Sequence, residues 1–272
     1  MENKLVSINI TTYNRAELLS RCIKSILCQS YKEIEIVIVD DSSSDNTEEV
    51  VQFFQCDYDF IKYYRHSKNK GNAFARNTAL KKCNGYYVAF MDDDDEWIDV
   101  NKIRKQVVIF ESNKANNLGI VCSGIKRYHQ NGKETEEKPI ICKNIKKKVL
   151  SGGLIHNSTV LTKKEIILKV GGFDEKMKRG IDSEFFRRAI VMHNYNVHFM
   201  QDLTCRYYED SPNRITTSSN NLLGIKTAIK THKYIFKKYL KYYFMYPQAF
   251  FTRLKIIFFL YLKVIQKSWL KS

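Results

Sequence analysis

At 272 residues, 44% hydrophobic and 27% charged, with only 3 prolines, the chain can build one large domain or a domain plus an appendage. It is far too apolar for a disordered polymer. Its 7 cysteines show no C-x-x-C spacing, which excludes a disulfide scaffold or zinc ribbon and suits reduced thiols in the cytosol, and the net charge of +16 is lopsided: residues 211–272 hold 12 Lys and Arg and no acid, while the first 210 nearly balance at +4.

The opening MENKLVSINI has no long apolar stretch, so no secretory leader is expected. Residues 5–10 read as a short β-branched strand. Asn14, with Glu17 three positions on, predicts a capping box for a helix over 15–29, where Leu18, Leu19, Cys22, Ile23, Ile26 and Leu27 recur at helical spacing. Residues 34–39 are apolar apart from Glu35, as in a strand buried on both faces of a parallel sheet. A helix over 46–55, a strand over 61–64, a helix over 71–82 and a strand over 86–91 follow. The last strand runs directly into Asp92-Asp93-Asp94-Asp95-Glu96. Alternation of this kind predicts an α/β fold with a parallel sheet between helices. Ligands in such sheets bind beyond the carboxyl ends of the strands, where Thr11-Tyr13, Asp40-Asp41 and the Asp92 cluster all fall.

The second half is less regular. It predicts a helix over 101–111, a strand over 119–125, a polar loop over 128–148, a strand over 154–161 and a helix over 163–170. A break at Gly171-Gly172, a helix over 181–192 and a strand over 197–200 complete it. SPNRITTSSNN, at 211–221, reads as a linker. Beyond it the basic residues are interleaved with thirteen aromatic rings between Tyr234 and Trp269, a composition suited to an anionic membrane surface, with core packing or partner binding, and nucleic-acid binding, as the alternatives. The longest uninterrupted apolar run, 256–262, is seven residues, against about 20 for a spanning helix, so a transmembrane span is not expected.

Five consecutive acids at the end of a buried strand repel one another unless a cation sits among them. Hard oxygens suit Mg²⁺ or Mn²⁺, whose remaining ligands are typically water and phosphate. There is no G-x-x-x-x-G-K-[ST] loop, no G-x-G-x-x-G after the first strand and no H-E-x-x-H, which argues against a P-loop NTPase, a dinucleotide dehydrogenase and a zincin.

Taken together, VSINITTYNRAELLSRCIKSILCQSYKEIEIVIVDDSSSDNT, NKGNAFARN at 69–77, YYVAFMDDDDEW and GGFDEKMKRGIDSEFFRRA at 171–189 resemble family-two inverting glycosyltransferases of GT-A fold, over about residues 4–210. The likeness extends to those that build bacterial surface polysaccharide such as lipopolysaccharide or capsule. The resemblance implies a Rossmann-like central sheet with a nucleotide-binding half (1–97) and an acceptor-binding half (98–210), followed by the linker and a helical basic tail (222–272). It implies a hexosyltransferase reaction from a nucleotide diphosphate sugar, UDP-linked, to a hydroxyl of a glycan or lipid-linked saccharide, assisted by Mn²⁺ or Mg²⁺. Thr11 and Tyr13 would hold the nucleotide, Tyr13 by stacking on the base. Asp41 would accept from uracil, and Arg76 would lie near the base or diphosphate. Asp92 and Asp93 would contact ribose and the metal's water shell, with Asp94 the metal ligand, although four successive Asp leave the ligating carboxylate open. Asp182 would be the catalytic base, with Glu184 the alternative.

Each residue also has a plain structural alternative: Tyr13 as a core aromatic, Asp41 as a turn cap, Arg76 as a surface ion pair, Asp182 as the cap of its own helix. The expected setting is cytoplasmic and peripheral, on the inner face of the membrane, with no nucleic-acid partner. Two other classes stay open. A metal-dependent nucleotidyltransferase should carry a glycine-rich basic loop where this chain has TTYNRAE, and a nucleic-acid-binding protein would leave the Asp cluster unexplained.

Overall fold

The structure is a computed structural model that describes residues 4–113, 117–209 and 221–269. Its first half alternates as the sequence predicts: β1 (Val6–Thr12), α1 (Ala16–Leu27), β2 (Ile34–Asp40), α2 (Thr47–Gln55), β3 (Ile61–Arg65), α3 (Asn72–Lys82) and β4 (Tyr87–Asp92). These strands lie parallel in the order β3-β2-β1-β4. The face each side chain packs on follows the two-residue period of a pleated strand. Ile34, Ile36 and Ile38 of β2 pack with α1 and α2, while Val37 and Val39 pack on the opposite face, against α3. Each fully buried aliphatic side chain of this kind stabilises by about 1.5–3 kcal/mol.

Next come β5 (Glu96–Trp97), α4 (Lys102–Ser112), β6 (Leu118–Tyr128), β7 (Glu134–Glu137) and α5 (Ile145–Ser151), then a 3₁₀ turn (Asn157–Thr159). After these follow β8 (Leu161–Lys163), α6 (Lys164–Val170), α7 (Ile181–Val191) and β9 (Asn196–Tyr208). Strand β8 pairs antiparallel with β4 and with β6, and β9 runs parallel to β6, extending the sheet to nine strands. Helices α1, α2 and α4 cover one face, and α3 and α5–α7 the other.

Four local expectations are corrected. Asn14 is not a helix cap: it has a positive φ of 51°, and its Oδ1 accepts from the Ser44 backbone N–H at 2.7 Å. The first turn of α1 is instead served from another loop, Asp45 Oδ2 accepting from Ala16 N at 3.1 Å. The segment 128–148 contains β7 and the start of α5, because β6 runs on to Tyr128 and offers β7 an edge. The strand expected over 154–161 is the 3₁₀ turn followed by the short β8. The strand expected over 197–200 extends from Asn196 to Tyr208 because β6 pairs with it along that length, through three register shifts.

Of the expected linker, 211–220 lie outside the described residues, and Asn221 caps the next helix by accepting from Gly224 N at 2.7 Å. The chain then forms α8 (Leu222–Lys238), α9 (Leu240–Met245) and α10 (Pro247–Trp269). Ile235, Tyr239, Tyr243 and Ala249 are buried in the same apolar cluster as β2, β4 and α7, so the start of this region shares the core of the preceding domain. No helix among the described residues is long and apolar enough to cross a membrane.

Candidate active site

The carboxyl ends of β1, β2 and β4 open into a cavity of about 1220 Å³, roomier than the ~300–1,000 Å³ typical of a single small-molecule pocket. Thr11, Tyr13, Asp41, Arg76, Asp92, Asp93, Asp94 and Asp182 all line it, although they span 171 positions of sequence.

The acidic run fans out as it leaves β4. Asp92 Oδ1 receives Arg76 Nη2 at 2.5 Å and Asn157 Nδ2 at 2.9 Å. Asp93 turns inward, with Arg15 Nη1 2.8 Å away; burial pushes its carboxyl up, Arg15 opposes this, and Asp94 adds to it. Asp95 Oδ2 accepts from Ser158 Oγ at 2.5 Å. Asp92, Asp94 and Asp95 place carboxylate oxygens within 4.8 Å of one another. Three hard oxygen donors at that spacing fit a divalent cation. Asp94 is therefore brought to the candidate metal position, and Asp93 lies outside this group of carboxylates. Asp95 is the member that the sequence did not single out.

Arg76 is 6% exposed and thus not a surface ion pair. Its Nε donates to Asn72 Oδ1 at 3.0 Å, which also accepts from Thr11 Oγ1 at 3.0 Å. Nη1 is buried without a hydrogen-bond partner among the described residues. A buried guanidinium with an unused N–H beside a carboxylate cluster is fitted to an anion that would also ligate a cation held by those carboxylates.

Asp41 is committed internally. Oδ1 accepts from Lys70 N and lies against His66 Nδ1, both at 2.8 Å, and Oδ2 accepts from Gly71 N at 2.7 Å. It thereby fixes the turn into α3, where Gly71 adopts a φ of 90° that a side chain would strain. Tyr13, 46% exposed, sits at the rim and is no core aromatic.

Asp182 lies in the first turn of α7 behind Gly180, whose φ of 61° is left-handed. Asp182 does not cap the helix, and its half-buried carboxylate lines the cavity. Glu184, two positions on, faces the opposite side. It is fully buried, with Arg188 and Lys238 each 2.8 Å away and Tyr239 Oη donating to it at 3.0 Å, which removes it from the candidates for base. His156 also borders the cavity; burial lowers its pKa, with Glu137 opposing.

Sequence reasoning missed Arg15, Asn157 and Ser158 as well as Asp95. The two residues of the 3₁₀ turn carry no motif and reach Asp92 and Asp95 only because Trp97 Nε1 holds the Ser158 carbonyl at 2.8 Å.

The model of the family described as glycosyl transferase family 2 matches residues 7–166, more than half of the chain. The chain belongs to this family. Among curated relatives of this family 2 glycosyltransferase, an uncharacterized glycosyltransferase of Methanocaldococcus jannaschii is 28% identical over 85% of this chain and 80% of its own length. A UDP-Glc:alpha-D-GlcNAc-diphosphoundecaprenol beta-1,3-glucosyltransferase of Escherichia coli is 41% identical, over 42% of this chain and 44% of its own length. A GalNAc(5)-diNAcBac-PP-undecaprenol beta-1,3-glucosyltransferase of Campylobacter jejuni is 45% identical over 34% of this chain and 30% of its own length, so each of the last two is matched over less than half of its length. Among solved structures, a Pyrobaculum calidifontis mannosyltransferase in complex with GDP-Man and Mn²⁺ superposes with a TM-score of 0.66 at 18% identity, covering 94% of this chain and 74% of that one. S. aureus TarS 1–349 in complex with UDP-GlcNAc also gives 0.66 at 18% identity, covering 85% and 66%. These similarities show the GT-A fold.

Proposed function

We propose that the chain is a divalent-metal-dependent inverting glycosyltransferase that moves a hexosyl group from a UDP-linked donor to a hydroxyl of a lipid-linked saccharide during surface-polysaccharide synthesis. The observation that carries this reading is the placement of Asp182 in one cavity with a carboxylate cluster and a buried arginine with an unused N–H. The E. coli and C. jejuni relatives, named for transfer to diphosphoundecaprenol-linked acceptors, support the acceptor class.

In this reading Tyr13 stacks on the base and Asp41, by fixing the Lys70-Gly71 backbone, shapes the uracil pocket and meets the base at its edge. Thr11, Asn72 and Arg76 form a hydrogen-bonded row that presents Arg76 Nη1 to the donor diphosphate. Asp93 holds Arg15 beside the cluster and borders the ribose. Asp92, Asp94 and Asp95 are the residues that would hold Mn²⁺ or Mg²⁺. The ion, when bound, neutralises charge on the departing diphosphate. Asp182 accepts the proton of the acceptor hydroxyl as that oxygen attacks the anomeric carbon, and a single displacement inverts the anomer. General base catalysis of this kind contributes about 10²–10⁴-fold.

The C-terminal helices suit a peripheral membrane position on an anionic leaflet. Lys226, Lys230, Lys233 and Lys237 recur at i, i+4, i+7 and i+11 on the exposed face of α8. On α10, which packs along α8, Phe251, Leu254, Phe258, Tyr261, Leu262 and Ile265 form an exposed apolar stripe. Adjacent cationic and aromatic-apolar surfaces are the chemistry of an interfacial helix.

The test is incubation of the full chain with Mn²⁺ and a panel of nucleotide sugars, with saccharide acceptors on a lipid diphosphate. Acceptor-dependent release of UDP is expected; no release of any nucleoside diphosphate across the panel would overturn the reading.

A further inference from the structure

The cavity has a cationic end that the donor site does not use. Arg179 ahead of α7, Arg187 on α7, His232 on α8 and Arg253 on α10 all line it. Arg187 and Arg253 are each 2% exposed. Arg253 is satisfied by neutral groups: Nε donates to Tyr243 Oη at 3.1 Å, Nη2 to the Leu150 carbonyl at 2.6 Å and Nη1 to His232 Nδ1 at 2.7 Å. His232 therefore accepts at Nδ1 and is a neutral imidazole, consistent with a pKa pushed down to about 4 by burial and by Arg253.

Arg187 donates Nε to the Val149 carbonyl at 2.8 Å, and its Nη1 is buried without a partner among the described residues. Burial and the neighbouring Arg253 lower its pKa to about 10, so it stays charged at neutral pH. No carboxylate among the described residues forms an ion pair with Arg179, Arg187 or Arg253; Glu184, the acid nearest along α7, is held by Arg188 and Lys238. Buried guanidiniums facing one another without a counter-ion are costly unless an anion joins them.

We propose that this end of the cavity is an anion subsite in which Arg187, supported by Arg179 and Arg253, binds the phosphate or diphosphate that joins the acceptor saccharide to its carrier. The proposal rests on the transferase reading for the identity of the ligand. Arginine forks match phosphate oxygens bidentately, which favours that class over a carboxylate sugar or an acidic peptide. Two placements separate the subsite from the donor diphosphate, which faces Arg76. Arg187 lies five residues beyond Asp182 on the same helix, about 7.5 Å of rise. Its neighbours His232 and Arg253 come from α8 and α10, the helices that carry the lysine row and apolar stripe. A lipid-linked acceptor entering from that side meets Arg187 with its phosphates while its sugar reaches Asp182.

The experiment uses the full chain with a chelator present, so that the carboxylate cluster holds no metal, and titrates inorganic pyrophosphate calorimetrically. Saturable binding is expected, at least tenfold weaker in Arg187→Gln and partly restored in Arg187→Lys, with UDP affinity in Mn²⁺ unchanged in both. In a second arm, a saccharide on a lipid diphosphate displaces pyrophosphate and the same saccharide on an uncharged lipid does not. Displacement by neither assigns the site to free phosphate and overturns the acceptor role. If Arg187→Gln loses its thermal transition, Arg179→Gln, on a half-buried loop residue, carries the same comparison. No pyrophosphate binding by the unaltered chain, or equal binding by the folded variants, overturns the subsite. Because the first readout is binding, a chain without transferase activity still answers it.

Discussion

Arg76 Nη2 lies 2.5 Å from Asp92 Oδ1, joining α3 to the exit of β4, while Nη1 is buried without a hydrogen-bond partner among the described residues. In the proposed reading the contact would couple donor binding to the order of the carboxylate cluster, since Asp92 Oδ1 accepts from both Arg76 and Asn157.

Arg76→Lys therefore keeps a positive charge but loses the fork, and kcat/KM for the donor is expected to fall by about 10²–10³-fold, the scale of losing one aimed donor to developing charge. Steady-state kinetics on the folded variant check this. Unaltered donor kinetics would remove Arg76 from the site.

On one helix, the proposed reading gives Asp182 the chemistry and Glu184 the architecture. Asp182→Asn should lower kcat by about 10²–10⁴-fold while UDP affinity and melting temperature hold. Glu184→Gln weakens a buried network with Arg188, Lys238 and Tyr239. It should destabilise by about 3 kcal/mol, read in denaturant unfolding, since removing one partner strands buried charge.

Within the acidic run, Asp94→Ala and Asp95→Ala should each weaken Mn²⁺ binding by about 100-fold or more, whereas Asp93→Asn should stay within about tenfold because Asp93 lies outside the group of carboxylates gathered within 4.8 Å of one another. Calorimetric Mn²⁺ titration distinguishes them. A loss concentrated at Asp93 would restore the plain positional reading of the motif.

Replacing Lys226, Lys230, Lys233 and Lys237 together by Gln removes four charges that each contribute about 1 kcal/mol near an anionic leaflet, so vesicle affinity should drop by about 10²–10³-fold at low salt. Vesicle flotation with and without anionic lipid measures it. Unchanged partitioning would detach the C-terminal helices from the membrane.

Lys102 gives a pH signature. It is fully buried with Nζ over the Trp97 ring, and burial lowers its pKa to about 7. The unfolded chain binds this proton up to about pH 10, so between pH 7 and 10 the unfolded state holds more protons and stability rises with pH. Below pH 7 the penalty is constant. Lys102→Met should flatten that rise, seen as a difference in melting temperature against wild type that shrinks from pH 7 to pH 10.

The sequence by itself determined the alternating half of the fold. Runs such as IEIVIVD admit one physical solution, a strand buried on both faces, and such strands in series force the acidic and aromatic residues at their ends onto one edge. It also marked Thr11, Tyr13, Asp41, Arg76, the Asp92 run and Asp182, because chemistry-bearing residues stood at those ends or in segments resembling a family. Only the tertiary structure decided how neighbouring acids divide their work. A step of one or two residues turns a side chain to another side, so Asp92, Asp94 and Asp95 gather their carboxylates while Asp93 stays outside that group, and Glu184 is fully buried where Asp182 is not. Likewise Asn157 and Arg253 reach the cavity from elements that carry no motif, and Arg187 from a helix whose pattern did not mark it. Their positions follow from long-range packing, which composition and spacing do not encode.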